Sequence, residues 1–105
     1  MIYEDAIAAL ADPSRRAIIE RLRTGALPVG KIASDLPISR PAVSQHLKVL
    51  SDAGLVNCDA QGNRRVYAIS PEGVAALRSY LDTLWDDALA CFAAAAAIKE
   101  GNVND

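Results

Sequence analysis

Apolar residues in this chain recur at helical spacing over its first half, switch once to strand alternation, and return to helical spacing near the C-terminus. From about Tyr3 to Ala11, the residues Ala6, Ile7 and Leu10 share one side of a short first helix. Asp12-Pro13 restarts the chain, Asp12 as a cap and Pro13 preset for the first helical position, and Ile18, Ile19 and Leu22 form the inward face of a second helix up to Gly25. Leu27-Pro28 opens a third, short helix from about Val29 to Leu36, with Ile32, Ala33 and Leu36 inward. Pro37-Ile38-Ser39 then turns the chain into a fourth helix that reaches Ala53. Leu55 to Ala60 and Arg64 to Ile69 read as two strands around the loop Gln61-Gly62-Asn63. Ser70-Pro71-Glu72 starts a last helix, which the pattern carries to about Ile98, roughly 42 Å of helix. The polar tail from Gly101 to Asp105 is expected to fray.

The fourth helix has a start, a seam and a stop. Ser39 is a good N-cap, Pro41 fits a first turn whose N–H groups lack helical partners, and Gly54 suits the left-handed position after the helix. Pro41 also disfavours helical angles at Arg40, which leaves Arg40 as an alternative cap. At about 100° per residue, Val43, Leu47 and Leu50 form a narrow apolar seam with Val49 and Ala53 on one flank. The opposite side carries Arg40, Pro41, Ser44, Gln45, Lys48 and Asp52. A planar fork, an ammonium, a hydroxyl and an amide are the groups that read base edges and hold phosphates in a major groove; a merely solvated face is the competing reading.

Two short helices joined by a tight turn, the second with a polar outer face, describe a helix-turn-helix over residues 29–53, and the hairpin at 55–69 with Arg64 and Arg65 near its tip describes a wing. The predicted fold is mainly α with a small β-hairpin, a winged helix-turn-helix in the order α-α-α-α-β-β-α. The last helix carries two apolar stripes, one through Leu77, Leu81, Leu84, Ala88, Cys91, Ala95 and Ile98, the other through Trp85, Leu89 and Phe92. One stripe can cover a small domain and the other needs a partner. The simplest partner is the same helix of a second subunit with the first helix alongside, so 3–11 and 71–98 are expected to dimerise, through Ile7, Leu77, Leu81, Leu84, Trp85, Ala88, Cys91 and Phe92.

At 105 residues the chain is one domain, with 51% apolar and 23% charged residues. A net charge of -2 argues against nucleic acid, but its distribution does not. Between Pro13 and Ser70 nine cations face four anions, whereas the two ends together hold Arg78 and Lys99 against nine acids. A basic middle between acidic ends is the footprint of a binding surface on one part of a fold. Arg15 and Arg16 fall in the first turn of the second helix, where the macrodipole prefers acids, so a DNA phosphate or a carboxylate from the acidic ends should compensate them. No run is long enough to span a membrane, and Met1 to Asp5 lack the basic and apolar regions of a secretion signal, so a cytoplasmic protein is expected.

The runs A-L-A-D-P-S-R-R-A-I-I-E-R-L, I-S-R-P-A-V-S-Q-H-L-K-V-L-S-D-A-G-L-V and G-N-R-R-V-Y-A-I resemble, in matching order over about residues 4 to 80, the ArsR-type winged-helix transcriptional repressors. The resemblance implies a homodimer that binds an imperfect inverted repeat in double-stranded DNA, with the Ser39 to Ala53 helix in the major groove. By position Arg40, Ser44, Gln45 and Lys48 match the family's DNA-reading residues and Arg64 and Arg65 its wing. Ser39, Pro41, Arg15 and Arg16 complete the expected DNA-facing set.

One departure from the family is as informative. Relatives that sense thiophilic metals carry Leu-Cys-Val-Cys-Asp-Leu where this chain has Leu27-Pro28-Val29-Gly30-Lys31-Ile32, and relatives that hold zinc between terminal helices use histidines that the last helix here lacks. One histidine and two distant cysteines, Cys58 and Cys91, are a poor zinc set, so neither a metal site nor a cofactor is expected. His46 sits on the packing side of the fourth helix, where it orients neighbouring backbone more readily than it contacts a base. Cys91 reads as a small buried thiol, or as a redox group if a dimer brings it near its symmetry mate. Cys58, on a strand, does not fit the cysteine plan of dithiol-sensing relatives. The competing functions are a redox-responsive repressor using Cys91 and a winged-helix module that binds protein. An enzyme is disfavoured: there is no glycine-rich phosphate loop, no histidine beside a plausible nucleophile, and Asp86-Asp87 read as solvated.

Overall fold

The computed structural model describes the backbone of residues 2–103 and the side chains of residues 4–98. Five helices and three short strands follow in the order α1 (Ile2–Leu10), α2 (Pro13–Leu22), β1 (Leu27–Pro28), α3 (Val29–Asp35), α4 (Arg40–Asp52), β2 (Val56–Gln61), β3 (Arg64–Ile69) and α5 (Pro71–Val103). The winged helix-turn-helix expected from the sequence is present, with one strand more than the hairpin. β1 pairs antiparallel with β3, Leu27 opposite Tyr67 and Pro28 opposite Val66, so β3 is the centre of a three-stranded sheet ordered β1-β3-β2. Leu27-Pro28 also opens the third helix as expected, with Pro28 at its N-cap. A proline lacks the N–H of a ladder but is tolerated at a sheet edge, which is where it lies.

The core is built from the positions the periodicity picks out. Ile18, Ile32, Val43, Leu47 and Leu50 are fully buried, joined by Leu22, Leu55, Val56 and Tyr67. Three details differ from expectation. On α1 the inward face is Ala6 and Ala9, while Ile7 is exposed, and small residues at the contact let α1 lie close on the domain. On α4 Val49 is 41% exposed, so only Ala53 of that flank is covered. On α5, Leu77 packs against the core, but neither apolar stripe beyond it is covered by the chain's own domain: Leu81, Leu84, Trp85, Leu89, Phe92 and Ile98 are all exposed.

That last feature sets the shape. The chain measures 73 × 25 × 23 Å because α5, 33 residues long, projects from the head as an arm. It continues past Ile98 through Gly101, the expected start of the frayed tail, to Val103, and Asn104 and Asp105 lie outside the described residues. Among the described residues no helix is long and apolar enough to cross a membrane.

Caps anchor the segments. Asp12 accepts hydrogen bonds from the N–H groups of Ser14 (2.7 Å) and Arg15 (3.2 Å). Ser39, not Arg40, caps α4, its hydroxyl accepting from Ala42 N–H at 3.3 Å. At the other end of α4 the N–H of Leu55 reaches Leu50 O (2.9 Å) and that of Gly54 reaches Ser51 O (3.0 Å), with Gly54 at φ +81°. This is the paired closure that requires a left-handed residue, which glycine adopts without penalty.

Candidate nucleic-acid interface

The outer side of α4 is solvent-facing along its length: Ser39, Arg40, Pro41, Ser44, Gln45, Lys48 and Asp52 are all exposed. The capped start of α4 and its fully buried seam of Val43, Leu47 and Leu50 fix that side's orientation. Next to it, the β2–β3 hairpin brings Arg64 and Arg65 to the same side of the head. Between helix and hairpin runs an open groove of about 1080 Å³. Five of the expected residues line it: Arg40, Ser44 and Lys48 from α4, Arg64 and Arg65 from β3. Gln45, Ser39 and Pro41 stand outside its walls, on exposed positions of the same helix.

Sequence reasoning missed part of the groove. Lys31 and Ser34 on α3, Asn63 at the hairpin tip, and Cys58 and Tyr67 on neighbouring strands also line it. Lys31 belonged to the basic middle of the chain, but its side was not assigned because a seven-residue helix gives too little periodicity to orient.

The ionic pairing inside the groove is unequal. Lys48 is tied to Asp52 at 3.1 Å and Lys31 to Asp35 at 3.3 Å, both one helical turn away. Arg40, Arg64 and Arg65 have no carboxylate partner among the described residues, so these three guanidiniums face the groove with their charge uncompensated. Elsewhere in the head Arg23 pairs with Glu20, and Arg21 shares Asp35 with Lys31. The Arg21 guanidinium beside Asp35, helped by Lys31, holds that carboxyl below its ordinary range. Within the groove wall, burial raises the Tyr67 phenol above its ordinary value of 10.0, reinforced by the Cys58 thiol and opposed by the Arg65 guanidinium.

Arg15 and Arg16 are elsewhere. Arg15 Nε donates to Ala9 O at 2.6 Å, and an Arg16 guanidinium nitrogen donates to Leu10 O (2.8 Å) and Ala11 O (3.1 Å). Both occupy the open carbonyls at the C-terminus of α1, the negative end of its dipole. Asp12 adds a weak contact to Arg15 at 4.0 Å. That carboxyl sits below its ordinary value, first because of the Arg15 N–H bond it accepts. His46 is half-buried with Asp12 in its field, on the packing side as expected.

The expected dimer residues Ile7, Leu81, Leu84, Trp85, Ala88, Cys91 and Phe92 are exposed, and Leu77 is divided between the core and the arm. Cys91, expected as a buried thiol, is exposed on the single chain, as is Cys58. Asp86 and Asp87 are exposed too.

Residues 10–59 match a helix-turn-helix domain family. Over 85 residues the chain is 60% identical to the HTH-type transcriptional regulator Rv2034 of Mycobacterium tuberculosis, covering 81% of this chain and 79% of that protein. Among solved structures it is similar to an ArsR-like transcriptional regulator from Rhodococcus sp. RHA1, with TM-score 0.75, 28% identity, and coverage of 87% of this chain and 89% of that one. It is also similar to the homodimeric winged helix-turn-helix DNA-binding domain Mb0332 from Mycobacterium bovis, with TM-score 0.67, 30% identity, and coverage of 84% and 82%. The first two are named as transcriptional regulators and the third as a possible ArsR-family one. With the fold, the groove and these likenesses in agreement, the chain belongs to the ArsR family of winged helix-turn-helix transcriptional regulators.

Proposed function

We propose that the protein is a homodimeric repressor that binds an inverted repeat in promoter DNA, in the cytoplasm where chromosomal DNA lies. One observation carries the reading: Arg40, Arg64 and Arg65, from two separate elements, converge on one groove without a carboxylate partner. In this reading α4 enters the major groove, where Arg40, Ser44, Gln45 and Lys48 meet base edges and Ser39 and Pro41 set the start of the helix against the backbone. The wing, residues 55–69, holds adjacent phosphates through Arg64 and Arg65. Helices α1 and α5 join two subunits, which covers the apolar arm, and the homodimeric relative supports that assembly. Arg15 and Arg16 contribute by holding α1 in place.

The regulator works without the family's metal sites in this reading. Pro28 and Gly30 supply no thiolate to the wall of the groove, and among the described residues no cluster of three or more His, Cys, Asp or Glu stands together. Base-reading and phosphate-holding residues are separable by experiment. Selection of bound fragments from random DNA should return a changed preferred sequence for Arg40→Ala and Gln45→Ala. Arg64→Ala and Arg65→Ala should weaken binding to all sequences alike. Wing variants that change the preferred operator as much as the helix variants would refute the division of roles, and retention on heparin without selection of any DNA sequence would favour a protein-binding module.

A further inference from the structure

The end of the DNA-facing helix and the start of the arm meet backbone to backbone. Gly73, in the first turn of α5, is buried against Gly54, the residue that closes α4. A Cβ at position 73 would overlap the Gly54 carbonyl oxygen and lie 2.7 Å from its carbon, with Leu55 Cα at 3.4 Å. The obstructing atoms are main chain, and both sides of the contact are pinned. Gly54 is held by its own closure onto Ser51 and by the Leu55–Leu50 bond. Ser70, nearly fully buried, donates its N–H to Leu55 O at 2.8 Å, and its hydroxyl accepts from Gly73 N–H at 3.2 Å. Glycine inside a helix is disfavoured against alanine by about 1 kcal/mol, so its presence here needs a reason, and close approach is the one the contact supplies.

We propose that Gly73 is a positioning residue that fixes the angle between the arm and α4, and through the two-fold dimer fixes the spacing of half-sites the protein accepts. The inference rests on the dimeric, operator-binding reading above. Relieving the overlap requires α5 to move by about 1.5–2 Å at residue 73, and with Leu77 seated in the core about 6 Å further along, that is a tilt of roughly 15°. Two-fold symmetry doubles the change between the two DNA-facing helices to about 30°, comparable with the twist of one base step at 10–10.5 base pairs per turn. Half-site spacing is therefore the property a side chain at 73 alters first, while the groove of each head stays as it is.

The test compares the full-length protein with Gly73→Ala and with Gly25→Ala. Gly25 has φ +141° and open space around it, so that variant strains the backbone without moving the arm. Each is offered operators whose half-sites are separated by graded spacers, and each carries a spin label at Gln61→Cys, in a Cys58→Ser, Cys91→Ser background, for the distance between subunits without DNA. The expected result is one sharp spacing optimum for the unsubstituted protein. Gly73→Ala should stay dimeric, bind an isolated half-site within about twofold, lose about tenfold on the original spacing and prefer a spacing one or two base pairs different, with the label distance shifted. Gly25→Ala should keep the original optimum and distance. Gly73→Ala with the original optimum and distance would overturn the inference, as would a flat spacing preference in the unsubstituted protein, which refutes it even if Gly73→Ala does not fold. A shifted label distance in a protein that binds no DNA would leave the joint standing and remove the proposed function; sharp spacing insensitive to residue 73 would do the reverse.

Discussion

The salt dependence of DNA binding follows from which groove cations are already neutralised. Lys48 and Lys31 are paired within the chain and Arg40 is assigned to base edges, which leaves Arg64 and Arg65 in each head, about four guanidiniums for phosphates in a dimer. Each phosphate neutralised contributes about −0.9 to the slope of log K against log salt, so a slope of about −3.6 is expected and affinity should fall by about 150-fold between 50 and 200 mM salt. Arg64→Ala removes one contact per head, flattens the slope by about 2 and cuts that fall to about tenfold. Asp52→Asn acts in the opposite sense: it frees Lys48 in each head, steepens the slope by up to about 2 and tightens binding to unrelated sequences. Arg16→Ala, whose guanidinium serves the α1 carbonyls, should lower thermal stability and leave the slope unchanged. Fluorescence anisotropy of a labelled operator across a salt series reads all four proteins. An Arg64→Ala slope equal to that of the parent, or an Arg16→Ala slope as flat as that of Arg64→Ala, would show that the groove is not where phosphates bind.

Three further outcomes follow from the arm and the ion pairs. Leu84→Glu, which places a charge on the exposed apolar arm, should produce monomers in sedimentation and reduce operator affinity together with the dimer; a dimer of unchanged stability would put the interface elsewhere. The thiols should separate under a maleimide titration, Cys58 on the wing reacting at every protein concentration and Cys91 becoming protected as dimers form, whereas equal reactivity throughout would refute burial of the arm. Asp35 is held below its ordinary value of 3.8, so its contribution is fully present above that pH and is lost as pH falls through the lower folded value. Asp35→Asn should therefore make the protein less stable at neutral pH and flatten its loss of stability in acid; an acid transition with unchanged steepness would show that this pair does not matter.

The strongest sequence signals were those with several residues per turn of evidence. α4 was legible to within a residue because a cap, a proline, a three-residue seam and a closing glycine all agreed, and β3 because the glycine-containing loop marked its start. β1 was invisible, since two residues carry no period and its proline points away from a strand. The destination of Arg15 and Arg16 was also beyond reach: their poor position on α2 was evident, but the acceptor lay in the carbonyls of another helix, which no residue type signals. The arm's two stripes were legible as apolar. That both would leave their own domain beyond Leu77 was not, because periodicity gives a side of a helix and not the direction in which the helix leaves the core.

The arm also separates two kinds of inheritance. Residues 81–98 are exposed on the single chain, so in the proposed dimer substitutions there change which surface a second chain must match while leaving the core of the head intact. A cell that carries several regulators of one fold must keep their subunits from mixing, and discrimination of that kind is a difference between matched and mismatched pairs, achieved by shape or charge that penalises the wrong partner. In the proposed dimer, whose pairing surface is a projecting helix, duplicated copies of this protein can lose the ability to recognise one another before they diverge in the DNA they read.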